Sequence, residues 1–185
     1  MNGSIRIIGG KWRGRKLSVL DKQGLRPTTD RVKETLYNWL MPVIQNSVCL
    51  DCFSGSGSLG FEAASRGAQN VTLLEKDKQV ANQLKKNKQL IACDNVEIYS
   101  TDTFQWLDRP AQRQFDIVFI DPPFHYSLIE KTLGLLENNH WLSPSAYIYI
   151  ESELGHVFNI PSNWYLHREK TAGQVHSYLF IREER

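Results

Sequence analysis

The sequence predicts an α/β fold: a mostly parallel sheet with helices on both faces, closed at its C-terminal end by an antiparallel hairpin. Three observations carry this. Short apolar runs recur at residues 48–53, 70–77, 96–99, 115–120 and 146–151. Helix-patterned or turn-rich stretches separate them, and strands alternating with helices argue for parallel crossover units. The last two runs, 164–169 and 175–181, are joined only by a short turn around Ala172-Gly173-Gln174, which no crossover helix could span.

Taken in order, residues 5–8 and 16–19 alternate loosely around glycines and read as a β-hairpin. Residues 26–41 carry a helix with its start signal, since Pro27 precedes Thr28, Thr29 and Asp30, any of which can cap it. Val32, Leu36, Trp39 and Leu40 form its apolar stripe, and Pro42 ends it. The run 48–53 is a short buried strand. It breaks into a loop with Gly55, Gly57 and Gly60, and a helix follows over 59–66. Further helices are expected over 78–91, 103–107 and 127–138. The 185 residues suit one alternating domain, 26–185, with a basic N-terminal hairpin extension over 1–25.

Charge is unevenly distributed. Residues 1–33 hold nine basic and two acidic side chains, a net +7, while the remainder holds 13 basic and 18 acidic, a net −5. A basic head on an acidic body is the footprint of a polyanion-binding surface. Lys11, Arg13, Arg15 and Lys16 project phosphate-pairing groups, with Arg6 beside them and Trp12 between them as a surface for base stacking. Arg26, Thr28, Asp30 and Arg31 cluster polar groups at the start of the first helix. Composition is that of an ordered globular chain, and no apolar run approaches the length of a membrane span. A cytoplasmic location is expected. Cys49 and Cys52 form a C-x-x-C, but residues three apart on a strand face opposite ways, so two small core residues are expected and no metal or redox pair. His125, His140, His156, His167 and His176 show no metal-ligand spacing.

The chemistry gathers at the ends of the predicted strands, where ligands bind in such folds. Strand, glycine turn and helix together bring backbone N–H groups up to a ligand. Glu75, 20 residues after Gly55, is placed to accept both hydroxyl protons of a ribose. That spacing suits a dinucleotide or an adenosyl sulfonium. Asp51, four residues before Gly55, argues for the sulfonium compound, because a carboxylate beside a pyrophosphate would be repelled. Asp121-Pro122-Pro123-Phe124 ends the fourth strand. Its prolines donate no N–H and hold the backbone extended, so a carboxylate and a carbonyl present paired acceptors to an exocyclic NH2, with Phe124 as a flat face for the ring.

D-C-F-S-G-S-G-S-L-G, L-L-E-K-D, the Thr101-Asp102 step and D-P-P-F resemble the ordered motifs of class I S-adenosylmethionine-dependent methyltransferases. The head, R-I-I-G-G-K-W-R-G-R-K-L followed by R-P-T-T-D-R-V-K-E-T-L-Y-N-W-L, resembles bacterial 16S ribosomal RNA guanine-N2 methyltransferases of the RsmD type, over about residues 5–181. The resemblance implies a Rossmann-like fold with a seven-stranded sheet and S-adenosylmethionine as cofactor. It implies that Asp51, Ser54, Gly55 and Gly57 hold the methionine part, Glu75 the ribose, and Asp102 with Thr103 the adenine. It assigns Asp121, Pro122, Pro123 and Phe124 to the target base. Arg6, Lys11, Arg13, Arg15, Lys16, Arg26 and Arg31 are assigned to RNA, with Arg26, Thr28 and Arg31 bordering the cofactor or substrate. The implied partner is 16S ribosomal RNA in the small subunit, met by a monomer.

Two other readings fit the motifs. One is an amino-methyltransferase acting on adenine in RNA or DNA, or on a protein glutamine. The other is a noncatalytic RNA-binding protein, against which the intact glycine loop and D-P-P-F argue.

Overall fold

In the computed structural model the described residues are 3–22, 25, 28–123 and 127–184. The elements run β1 (Gly3–Arg6), β2 (Lys16–Val19), α1 (Asp30–Leu40), β3 (Val48–Asp51), α2 (Ser58–Ser65), β4 (Asn70–Glu75), α3 (Lys78–Leu90), β5 (Val96–Ser100), α4 (Thr103–Leu107), β6 (Phe115–Ile120), α5 (Ser127–Asn138), β7 (Leu142–Glu153), β8 (Trp164–Ala172) and β9 (Val175–Arg182). Seven strands form one sheet in the order β5-β4-β3-β6-β7-β9-β8, and β1 and β2 form a separate hairpin. Pairings from β5 through β7 are parallel; β9 joins β7 and β8 antiparallel. This is the expected α/β architecture.

Core clusters lie on both faces of the sheet, so its central strands β3, β4 and β6 are apolar on both sides. Cys49 packs in one core cluster and Cys52 in the other, each fully buried. Burial pushes the Cys49 thiol up to about 12, leaving it a thiol and not a reactive thiolate. On the side of α5, Trp106 stacks on Trp141 at 4.7 Å, and the Trp141 indole N–H reaches the Leu107 carbonyl at 3.0 Å.

The hairpin is not a free arm. Ile5, Ile7, Trp12, Leu17 and Val19 belong to the same core cluster as Leu36, Leu40 and Leu59. Each buried side chain of this kind contributes about 1.5–3 kcal/mol, whereas an isolated hairpin is marginal in water. Polar contacts fix the docking. Glu62 of α2, fully buried, accepts from the N–H groups of Ile8 and Gly9, both at 3.0 Å. It also receives Arg66 at 2.8 Å and lies 3.4 Å from the Lys33 ammonium. Gly10 has φ +80, and a Cβ there would meet the Ser65 carbonyl oxygen at 1.9 Å, so only glycine permits this approach.

Several boundaries differ from expectation. The first strand ends at Arg6 instead of residue 8, because Ile8 and Gly9 turn their N–H groups to Glu62. The buried face of α1 is Lys33, Leu36, Tyr37 and Leu40, so Val32 and Trp39 flank it. Lys33 fits there because its ammonium donates to the Arg6 carbonyl at 2.6 Å and faces Glu62. Asp77 lies beyond β4 and caps α3, accepting from Gln79 and Val80. β7 begins four residues before the expected start, at Leu142, opposite Phe115.

Candidate functional site

The chain reverses direction across the sheet between β3 and β6. From β3 it proceeds to β4 and β5 on one side, then crosses to β6 and β7 on the other. Such a switch point opens a crevice beyond the carboxyl ends of the strands. Asp51 ends β3, Glu75 ends β4, Asp102 follows β5 as the N-cap of α4, and Asp121-Pro122 follows β6. The structure therefore brings the predicted carboxylates to one rim.

The glycine loop joins β3 to α2. Gly55 has φ +53 and Gly57, the N-cap of α2, φ +80. A Cβ on Gly57 would meet Leu84 and Phe61 at 2.7 Å. Glu75 ties the loop down: its two carboxylate oxygens accept from Gly55 N at 2.9 Å and Asp77 N at 2.8 Å. Each oxygen keeps further acceptor capacity, so ribose hydroxyls can still be received. Ser54 is buried, its hydroxyl donating to the Asp51 carbonyl at 3.2 Å and its N–H to the Leu74 carbonyl at 3.0 Å. Asp102 accepts from Gln105 N at 3.1 Å and faces Lys76 at 3.8 Å. Thr103 is buried and donates to the Cys52 carbonyl, which anchors α4 to the end of β3.

Asp51 is 1% exposed. It accepts from the backbone of Phe53 and Gly60, yet its Oδ1 has no hydrogen-bond partner. Burial, opposed by those hydrogen bonds and reinforced by the charge of Glu75, moves its carboxyl from 3.8 to about 7. A buried acceptor without a donor costs about 1–3 kcal/mol; an ammonium group answers both the missing donor and the crowding of negative charge, and a sulfonium group answers the second. The residues present thus fit a cationic ligand such as S-adenosylmethionine. Desolvation likewise raises Glu75. It raises Asp121 well above the usual carboxylate range, with Glu151 and then Asp51 as the next causes.

Glu151, near the end of β7, is a residue of this rim that the sequence motifs do not single out. It lies within hydrogen-bond reach of Asp121 and accepts from the Tyr149 hydroxyl at 2.7 Å. Its one signal in the sequence is that an acid closes the apolar run Tyr147-Ile148-Tyr149-Ile150. Phe53 and Phe104 meet edge to face at 6.4 Å beside the loop, with the Lys131 ammonium 4.4 Å from the Phe104 ring.

The basic residues fall into two places. Arg6 is exposed and pairs with Asp30 at 3.1 Å. With Lys16, Thr28 and Thr29 these line a polar groove of about 420 Å³ between β1 and the start of α1. Lys11, Arg13 and Arg15, also exposed, sit at the hairpin turn, which docks on the C-terminal ends of α2 and α3. Lys22 meets Asp77 at the other end of α3, at 2.7 Å. The 13 residues of α3 put the turn about 20 Å from the carboxylate rim. Trp12 offers no face to a base: it is 7% exposed, packed into the core and covered by Lys11 at 5.0 Å. Lys33 likewise leaves the basic surface for the core. Arg31 is exposed on α1. Arg26, Phe124 and His125 lie outside the described residues.

A glycine turn opening a helix at the switch point of this sheet is the architecture of class I S-adenosylmethionine-dependent methyltransferases. The family model described as conserved hypothetical protein 95 matches residues 5–181. Ribosomal RNA small subunit methyltransferase D of Haemophilus influenzae is 55% identical over 181 residues, 96% of this chain and 94% of that protein. Its Escherichia coli K12 counterpart is 52% identical over 183 residues, 98% and 92% of the two chains. The chain belongs to this family. The solved Escherichia coli protein yhhF superposes with a TM-score of 0.93 at 50% identity, covering 99% of this chain and 100% of that one. An RNA methyltransferase from Salinibacter ruber in complex with S-adenosyl-L-homocysteine shares the fold, with a TM-score of 0.66 at 20% identity over 86% of this chain and 95% of that one. Among the described residues no helix is long and apolar enough to cross a membrane.

Proposed function

We propose that the chain methylates the exocyclic N2 of a guanine in 16S ribosomal RNA of the small subunit. The relatives named ribosomal RNA small subunit methyltransferase D support the substrate class. The observation that carries the reaction is Asp121-Pro122 at the carboxyl end of β6, across the switch point from Asp51 and the glycine loop.

When bound, S-adenosylmethionine supplies a methyl group activated by its sulfonium charge. Asp51, Ser54, Gly55 and Gly57 would hold its methionine part, Glu75 its ribose, and Asp102 with Thr103 its adenine. Asp121 and the Pro122 carbonyl accept hydrogen bonds from the target NH2. An aromatic amine is a poor nucleophile because its lone pair is delocalised into the ring. Two fixed acceptors favour a pyramidal nitrogen whose lone pair points at the methyl group. Holding the partners in line supplies up to about 7–11 kcal/mol in the best-oriented cases. The base must leave its RNA stack to enter such a crevice, and Phe124 is assigned to stack on it.

Arg6, Lys16, Arg26 and Arg31 are assigned to RNA near the target. Lys11, Arg13 and Arg15 are assigned to phosphates farther along the RNA. All of these residues come from one chain, so a monomer suffices. Residues 1–25 form a hairpin extension and 26–185 the methyltransferase domain, sharing one core.

The test uses methyl-labelled S-adenosylmethionine with small subunits from cells lacking the protein, and naked 16S RNA in parallel. Label recovered as N2-methylguanosine is expected. Label in another nucleoside, or none despite cofactor binding, overturns the reading.

A further inference from the structure

Parallel pairing of Ile120 with Ile150 sets the next residues side by side, Asp121 just beyond β6 and Glu151 still within β7. Neighbours in register on adjacent parallel strands face the same side of the sheet. Their carboxyl groups meet within hydrogen-bond distance. Tyr149, two residues before Glu151 and therefore on the same face, donates to Glu151 Oε1 at 2.7 Å. Its hydroxyl oxygen lies 3.0 Å from Ser177 Oγ, and Ser177 is the residue opposite Glu151 on β9. Tyr149 and Ser177 are both buried. Glu151 is thus held by Tyr149, itself braced by Ser177 of β9, and meets the one carboxylate assigned to the target amine.

We propose that Glu151 is a positioning residue for methyl transfer: it shares one proton with Asp121, fixes that carboxyl against the target amine, and enlarges the group that takes up the proton the amine must release. This rests on the function proposed above.

Two carboxyls in contact at a half-buried spot oppose each other's ionisation, so the pair gives up its two protons in separate steps and between them shares one proton and carries one negative charge. Desolvation raises both, and the charge of Glu151 raises Asp121 further. Asp51 on β3 is a further carboxyl whose charge raises Asp121. From α1, Arg31 lines a small cavity with Tyr149 and Ser177, and Lys170 of β8 closes it. In the reaction the N2 lone pair forms the N–C bond as the S–C bond breaks and its electron pair stays on sulfur. The nitrogen then holds two hydrogens and a positive charge. It gives one proton to the singly charged pair, which becomes neutral and later returns that proton to solvent. A purely structural role explains the geometry poorly, since like groups at one half-buried spot weaken a fold relative to an amide.

The test compares wild type with Glu151→Gln and Asp121→Asn. Single-turnover methylation of small subunits is followed against pH, with S-adenosylmethionine affinity, RNA KM and urea stability measured alongside. Glu151→Gln is expected to fold at least as stably, bind both substrates normally and lose about tenfold in rate. The acidic limb of its rate profile should move up, because Asp121 loses the acid O–H whose hydrogen bond stabilises the singly charged pair. A readout independent of turnover is the carboxylic-acid C=O stretch in the infrared spectrum of the ligand-free protein. The component removed by Asp121→Asn should also vanish in Glu151→Gln. An unmoved limb or a persistent band overturns the proposal. If wild type methylates no small-subunit RNA while the band still vanishes, the carboxyl pair stands and the function proposed above fails.

Discussion

The Arg15 guanidinium lies 3.3 Å from the Leu90 carbonyl oxygen, so the basic turn is moored to the end of α3 that points away from the cofactor loop. Under the proposed function, charge at that point acts on RNA well outside the crevice. Replacing Arg13 and Arg15 together by alanine is therefore expected to raise KM for small subunits and leave the rate at saturating RNA unchanged. The slope of log affinity against log salt should fall by roughly one for each phosphate that is no longer neutralised. Filter binding across a salt series measures it; a lower saturating rate with unaltered affinity would contradict this placement.

Glu62 is the hub that joins hairpin, α1 and α2. Glu62→Ala leaves the Lys33 ammonium buried beside no carboxylate and frees two backbone N–H groups. A loss of about 3–5 kcal/mol is expected, as for other broken buried ion pairs. Urea unfolding followed by tryptophan fluorescence gives the value, and Trp12 lies close enough to report undocking.

At Gly57 the left-handed backbone alone makes alanine unfavourable by about 1–2 kcal/mol. The added Cβ also pushes on Phe61 and Leu84. Gly57→Ala should lower stability by at least that amount and weaken S-adenosylmethionine binding in calorimetry. Unchanged binding would show that the loop does not cradle the ligand.

Asp51 makes stability depend on pH in a defined direction. Its carboxyl sits at about 7 when folded against 3.8 ordinarily, so the folded state binds the proton more tightly than the unfolded chain. The resulting stabilisation is complete below the unfolded value and is lost as pH rises through about 7. Asp51→Asn should flatten the urea midpoint across that window. With wild type, S-adenosylmethionine should bind more tightly above pH 7 than below, because a cationic ligand favours the ionised carboxyl; titration calorimetry at several pH values reads this directly.

Strand positions and strand ends are legible because buried parallel strands leave apolar runs, and most of the runs here end in a glycine, an acid or a proline. That the carboxylates Asp51, Glu75 and Asp121 stand at strand ends, and so on one rim, can be read from those endings. Lys33 cannot be read as a core residue, since its partner Glu62 lies 29 positions away on another helix. Trp12 reads as exposed because its neighbours Lys11 and Arg13 are, yet alternation in the docked turn sends it inward. The role of Glu151 depends on the register of β6 against β7, and register is a property of pairing that no single strand carries. The early start of β7 is hidden by Ser143, Pro144 and Ser145, which read as a turn.

The contacts that seat the hairpin on α2 join residues 53 to 56 positions apart. At a synthesis rate of about 5–20 residues per second, the N-terminal arm waits roughly three to eleven seconds for the helix that receives it. During that interval the nascent chain carries its most basic stretch without a resting place, emerging from a particle made largely of RNA. Only completion of residues 58–66 withdraws Lys33 and Trp12 from those surroundings. The finished enzyme therefore differs from its own nascent arm in which groups it can offer to RNA, and the difference is set by the timing of one helix.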